Sequence, residues 1–326
     1  MTRISLSLLV ALLVMGAGSA ASATEFKLAT LAPVKSSWTR IFQRAAREIK
    51  AKTEGAVTFR IYARGVQGDE KKTVAKMRTG QLQAAAVTAV SLGEIAPEVL
   101  VLQAPQLITN YRTLDAVRAK LKSRFEAAMT SKGYTILGWG DVGLTYIYSQ
   151  TPVVTPADLK KTKFWVGRDD PFVRKLASIV GFKGKVMGVP DVLAALNTNR
   201  VDALISSPLA CQQLGWCRRM KYRAVHPFNV RIEAVIIPTK TLQSLSSKHQ
   251  KVVKTVWDKW LKALVRKVRK ENGHAVKTQI RFGMQDTTIS LSAKAAWKAV
   301  GNKIQKSLVG KLYPSGLLNQ VRGMAR

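Results

Sequence analysis

Two cysteines and three histidines are all that 326 residues contain, and 19 acidic side chains stand against 53 lysines and arginines. Each scarcity excludes something. Two cysteines cannot staple a disulfide-rich scaffold. Cys211 and Cys217 with scattered His226, His249 and His274 match no metal-ligand spacing. Neither a metal nor a cofactor is expected. The chain also lacks a Gly-x-Ser-x-Gly elbow, a His-Glu-x-x-His pair, a phosphate-cradling glycine loop with Lys and Ser/Thr, and a dinucleotide fingerprint. The acid pairs Asp69-Glu70 and Asp169-Asp170 sit at expected helix starts, where acids are favoured anyway. No catalytic residue is assigned, and an enzyme is not expected.

Long apolar runs are missing except at the N-terminus. There Arg3, the apolar stretch Ile4 to Met15 and the small residues Ala21-Ser22-Ala23 read as a cleavable secretory signal peptide over residues 1–23. The stretch is short for a membrane span, and no cysteine follows it to carry a lipid. Export to the periplasm is the expectation. The formal net charge of +34 raises the question of nucleic acid. Export argues against that partner, and the basic residues are spread along the chain. Two readings stay open: a generally cationic surface, or attraction of anionic solutes, lipid headgroups or a partner protein.

Strand-like and helix-like segments alternate, which indicates an α/β chain with parallel sheets. Glu25 to Leu31, Val57 to Ala63 and Ala84 to Val90 read as strands. Ser36 or Ser37 caps a helix running to about Thr53, and Asp69 opens a helix closing near Gly80. In the second half, Tyr134 to Trp139, Thr145 to Ser149, Lys163 to Val166, Val201 to Ile205 and Ile232 to Ile237 are strand-like. Pro171 to Val180 and Asp191 to Asn199 are helical. A long helix begins at Ser247, with Lys248, Lys251, Lys254 and Lys262 on its polar side. That stripe reads first as a solvated face and second as a dock for an acidic partner. A disulfide between Cys211 and Cys217 is left open. On an unbroken helix the two would stand about 9 Å apart along the axis, so pairing requires a break, for which Gly215 is the candidate.

From Glu25 onward the sequence resembles the solute-binding proteins of tripartite ATP-independent periplasmic (TRAP) transporters, of the DctP type. The resemblance rests on Lys27-Leu28-Ala29-Thr30-Leu31-Ala32-Pro33 with Ser37-Trp38, and on Gly65-Val66-Gln67-Gly68-Asp69-Glu70. It continues through Met77-Arg78-Thr79-Gly80, Thr155-Pro156-Ala157-Asp158-Leu159-Lys160 and Asn199-Arg200-Val201-Asp202-Ala203. It implies an α/β, two-lobed periplasmic binding protein (type II-like), its lobes joined by crossing strands and a long hinge-spanning helix. Lobe I is expected over 24–143 plus 232–262, and lobe II over 144–231 plus 263–326. A small organic solute would bind between the lobes and pass to TRAP membrane permease subunits. The other reading is a carrier or sensor module working with another periplasmic protein.

Relatives of this type clamp a carboxylate with arginine, whose planar fork makes two charge-assisted hydrogen bonds. Aligned on Asp158-Leu159-Lys160, the arginine position carries Trp165. A second basic position carries Leu144, and the family asparagine falls on Ser207. The expectation is a subgroup lacking the clamp, with an apolar or aromatic cleft. Trp165, Leu144, Trp38, Tyr146 and Phe228 are the candidate lining residues; Ser206, Ser207, Gln67 and Thr88 are the candidate polar contacts. The other reading of each aromatic is an ordinary core or hinge residue, a reading less favoured for Trp165. Arg168 is either a substitute clamp or, preferably, the partner of Asp169 or Asp170.

Overall fold

Residues 23–325 are described by a computed structural model; the signal-peptide assignment, apart from Ala23, lies outside them. Strand β1 (Thr24–Thr30) enters at once. Helix α1 (Ser37–Lys52) starts where Ser36 accepts a hydrogen bond from the Thr39 N–H at 3.2 Å, and it buries Trp38, Ile41, Phe42, Ala45 and Ile49 on one face. Then come β2 (Val57–Tyr62), α2 (Glu70–Arg78, capped by Asp69), β3 (Ala84–Thr88), α3 (Ala89–Ile95) and α4 (Tyr111–Ser131). Strand β3 ends two residues earlier than the sequence suggests, because the chain turns directly into α3.

Strand β4 (Tyr134–Ser149) is one continuous strand of 16 residues, where two separate strands were expected. The glycine-rich middle stays extended. Two register irregularities, between Ile136 and Gly138 and between Asp141 and Gly143, absorb its misfit with the neighbouring strand. The chain continues through β5 (Trp165–Gly167), α5 (Pro171–Val180), β6 (Lys185–Met187), α6 (Val189–Asn197), β7 (Ala203–Ser206) and α7 (Pro208–Gln213). Next are β8 (Tyr222–Ala224), β9 (Asn229–Pro238), α8 (Thr239–Gln243) and α9 (Ser247–Arg281). Strand β10 (Gln285–Thr287), α10 (Leu291–Ser307) and α11 (Ser315–Met324) complete it.

The strands run β10-β8-β4-β9-β3-β1-β2, with β7 also pairing β4, and β5 and β6 form a separate pair. Strands β1, β2 and β3 are parallel to one another. Strand β4 pairs β9 as far as Thr145 and pairs β7 from Tyr146, so it passes from one half of the molecule to the other. Helix α9, 35 residues and roughly 52 Å long, packs against α1, β4 and α7 and so touches both halves. Among the described residues no helix is long and apolar enough to cross a membrane.

Polar ties fix α9 to the crossing strand. Asp141 of β4 is fully buried and receives Arg118 at 2.8 Å and Arg269 of α9 at 2.7 Å. Breaking a buried pair of this kind costs roughly 3–5 kcal/mol, because a charge is left stranded. Asn272 donates to the Val142 carbonyl at 3.1 Å and accepts from the Leu209 N–H of α7 at 3.0 Å. A Cβ on Gly143, whose φ is +125°, would sit 2.6 Å from the Asn272 amide nitrogen. Glycine is therefore required where α9 crosses β4.

Candidate functional site

A cavity of about 740 Å³, its open mouth included, lies between the two halves. The loop after β1 (Thr30 to Pro33), Trp38 of α1 and Thr88 at the end of β3 form one wall. Trp165, Ser206, Ser207 and Trp216 form the other. Strand β9 supplies Arg231 and Glu233 between them. Carboxyl ends of parallel strands are where open α/β sheets bind ligands. A smaller recess of about 520 Å³ adjoins it, and Glu70, Thr88, Trp165 and Arg231 border both.

Local chemistry places each group. Ser207 caps α7, accepting from the Ala210 N–H at 3.3 Å, while Ser206 donates to the Ser207 carbonyl. The Trp165 indole N–H donates to the Met187 carbonyl at 3.1 Å, and its ring meets Trp216 edge-on with centroids 5.3 Å apart. Thr88 donates its N–H and its hydroxyl to the two oxygens of Glu70, at 2.8 and 2.7 Å. Trp216 and Gln213 hang on a loop closed by the disulfide Cys211–Cys217, whose Cα atoms are 5.2 Å apart. The break needed for that bridge is present: α7 stops at Gln213, and Gly215 takes a left-handed φ of +77°.

Of the residues proposed from sequence, Trp165, Trp38, Ser206, Ser207 and Thr88 come together here. Four do not line either space. Leu144 packs against the main core and donates its N–H to Tyr111 at 3.2 Å. The Tyr146 ring lies under the Arg223 guanidinium, 5.3 Å away. Phe228 is buried edge-on against Trp297. Gln67 accepts from the Lys76 ammonium at 2.8 Å. Arg168 borders the smaller recess and lies 3.9 Å from Asp69 rather than Asp169 or Asp170. Those two acids are engaged elsewhere, Asp169 with Lys71 at 3.7 Å and Asp170 with Arg231 at 2.9 Å.

The expectation of a cleft without a lining guanidinium is corrected by Arg231. It was missed together with Glu233, Glu70, Gln213 and Trp216. Arg231 and Glu233 stand two apart in a strand otherwise apolar from Val230 to Ile237, so period two puts both on one face. That signal was available, but the strand was read as starting at Ile232. Glu233 pairs in register with Thr88 and with Gly140, and a Cβ on Gly140 would fall 2.7 Å from its carboxyl. Burial pushes the Glu233 carboxyl well above the usual carboxylate range, with Asp141 and Glu70 adding to the rise. Glu70 is raised too, chiefly by burial, while Thr88, Ser91 and Arg231 pull the other way.

Residues 28–311 match the DctP family, described as bacterial extracellular solute-binding protein, family 7. The chain belongs to this family. A curated solute-binding protein of Chromohalobacter salexigens is 25% identical over 214 residues, which is 64% of this chain and 62% of that protein. The match thus spans under two thirds of that relative's length. Two solved structures share the fold. One is an extracytoplasmic solute receptor of Bordetella pertussis binding pyroglutamic acid: TM-score 0.85, 19% identity, 93% of this chain and 100% of that one. The other is a TRAP periplasmic solute-binding protein of Ralstonia eutropha with bound (S)-2-acetolactate: TM-score 0.86, 18% identity, 92% and 98%. A DctP-family chain is a binding protein rather than an enzyme, and its long helix touching both halves is part of the shared architecture.

Proposed function

We propose that this protein is the periplasmic receptor of a TRAP-type transporter and that it captures a small organic solute with an apolar or aromatic body. The observation that carries the reading is the cavity between the two halves, walled by the indoles of Trp38, Trp165 and Trp216. Flat apolar surfaces facing a few fixed polar groups are the usual make-up of a small-molecule site. The solute-binding residues are Trp38, Trp165, Trp216, Ser206, Ser207 and Thr88, with Arg231 and Glu233 at the back. Lobe I comprises 24–143 plus 232–262, and lobe II 144–231 plus 263–326. The change of partner along β4, from β9 at Thr145 to β7 at Tyr146, falls close to that division. Membrane permease subunits receive the solute from the loaded protein, as the family implies.

Native mass spectrometry of gently purified mature protein tests this. A bound small molecule should accompany the protein and quench its tryptophan fluorescence when added back. Trp165→Ala should weaken that binding by roughly tenfold, about 1.4 kcal/mol. Protein that carries no solute and binds none from a broad metabolite panel would end the proposal.

A further inference from the structure

The protein's whole-chain charge and its cavity disagree in sign. Over the whole chain 53 basic side chains outnumber 19 acidic ones. Around the cavity and its adjoining recess the ratio inverts: three cations, Lys71, Arg168 and Arg231, meet five acids, Asp69, Glu70, Asp169, Asp170 and Glu233. Every one of the three cations already has an acid. Arg231 is 2.9 Å from Asp170, Lys71 is 3.7 Å from Asp169, and Arg168 is 3.9 Å from Asp69. Among the described residues, Glu70 and Glu233 form no ion pair with a lysine or arginine. An incoming carboxylate would be a sixth acid beside three cations that are already matched.

Two cavity residues also carry buried oxygens without a close hydrogen-bond partner, Oε1 of Gln213 and Oε1 of Glu233, whose carboxyl has only the Trp38 indole N–H as a side-chain donor beside it. Glu233 itself is only 7% exposed. Burying an acceptor without a donor costs about 1–3 kcal/mol, so a native site that does so reserves it for something. Three indoles line the same space. Their ring faces attract a cation, by about 2 kcal/mol when water is excluded. Two buried donors stand in the same space: Trp38 Nε1, which is directed to the Glu233 carboxyl, and Nε of Arg231, whose charge Asp170 already balances.

We propose that the cavity selects an organic ammonium compound, its cationic head held by Glu233 and Gln213 among the tryptophan rings and its apolar body filling the rest. This rests on the solute-receptor reading above and assigns the charge of the solute. Burial favours the protonated form of the Glu233 carboxyl, and an arriving ammonium favours the ionised form, with the proton leaving to solvent. The cavity then exchanges one positive charge for another and buries no additional net charge, which removes the main cost of holding an ion away from water. The groups facing Glu233 are Asp141 of β4, Glu70 of α2 and Trp38 of α1, with Arg231 two residues away on β9. None of these supplies a free cation in its place.

Three probes of one shape separate the possibilities: benzylamine, benzyl alcohol and benzoate, titrated calorimetrically into the mature protein. Benzylamine should bind at least roughly tenfold more tightly than the other two. Because burial raises the Glu233 pKa, benzylamine affinity should rise with pH as that carboxyl ionises, with proton release visible in buffers of different ionisation enthalpy. Glu233→Gln should bring the benzylamine to benzyl alcohol ratio towards one and abolish the proton release. Glu70→Gln serves as a second variant should the first fold poorly, and it should lower the same ratio. Benzoate binding tightest, or both variants retaining the wild-type preference, would overturn the inference and leave a solute receptor of another charge class. Binding of none of the three would also overturn it; the receptor reading falls only if no solute accompanies the purified protein either.

Discussion

Arg231 and Asp170 meet at 2.9 Å, Nη2 to Oδ2, while the other oxygen of Asp170 accepts the N–H groups of Phe172 and Val173 at 3.0 and 3.1 Å. One carboxylate thus caps helix α5 and neutralises the arginine that lines the main cavity. The cap makes Asp170 hard to displace. Two backbone donors at the start of the helix would lose their acceptor if it swung away.

Asp170→Asn keeps the cap but removes the charge. Asparagine caps helices about as well as aspartate, so the cap survives, but the mostly buried Arg231 loses its counter-ion and stability should fall by roughly 3–5 kcal/mol. Arg231 would then have a free guanidinium in the cavity. Benzoate affinity should rise by roughly tenfold, read by calorimetry. Unchanged anion affinity would show that Arg231 is closed to the solute by position rather than by its ion pair.

The Cys211–Cys217 bridge closes a short loop that carries Gln213, Leu214 and Trp216 into the cavity. Cys211→Ser with Cys217→Ser should lower unfolding free energy by about 2 kcal/mol in urea denaturation, as expected for so short a loop. Solute affinity should weaken as well, because the Trp216 ring loses its tether opposite Trp165. Equal urea midpoints for the wild type with and without a thiol reductant would count against any stabilising role.

Glu48 of α1 ties that helix to α9. It accepts from the Trp260 indole at 2.8 Å and pairs with Lys259 and Lys52. Lys259 above all holds its carboxyl down, from an ordinary 4.5 to about 2. The folded-state value is depressed, so the tie is fully present above about pH 4.5 and fades as pH falls through about 2. Solvent screening at this edge keeps the effect to about 1 kcal/mol or less. Comparing urea midpoints of the wild type and Glu48→Gln should give a gap that is constant near neutrality and closes in acid. A gap that grows in acid would contradict the assignment.

Much of the fold was legible because it is written in short-range terms. Ser36 before an apolar face specifies α1. Asp170-Pro171 at one end and Gly181 at the other bracket α5. Family segments led to Trp38, Trp165 and the two serines, which line the cavity, and also to Gln67, which does not. Leu144 was placed by alignment with a family position, and such an alignment does not say which way a side chain turns in a strand that carries a register irregularity between Asp141 and Gly143.

By itself the sequence determined the alternation of strands and helices, their caps, the family to which the chain belongs and the excess of positive charge. These depend on composition and on neighbours a few positions apart. Tertiary structure alone decided that Arg231 meets Asp170 across 61 positions, and that acids outnumber bases in one cavity of a basic protein. Charge adds up along a chain without regard to order, but the field inside a cavity depends on which few side chains the fold turns inward and on how far water is kept from them.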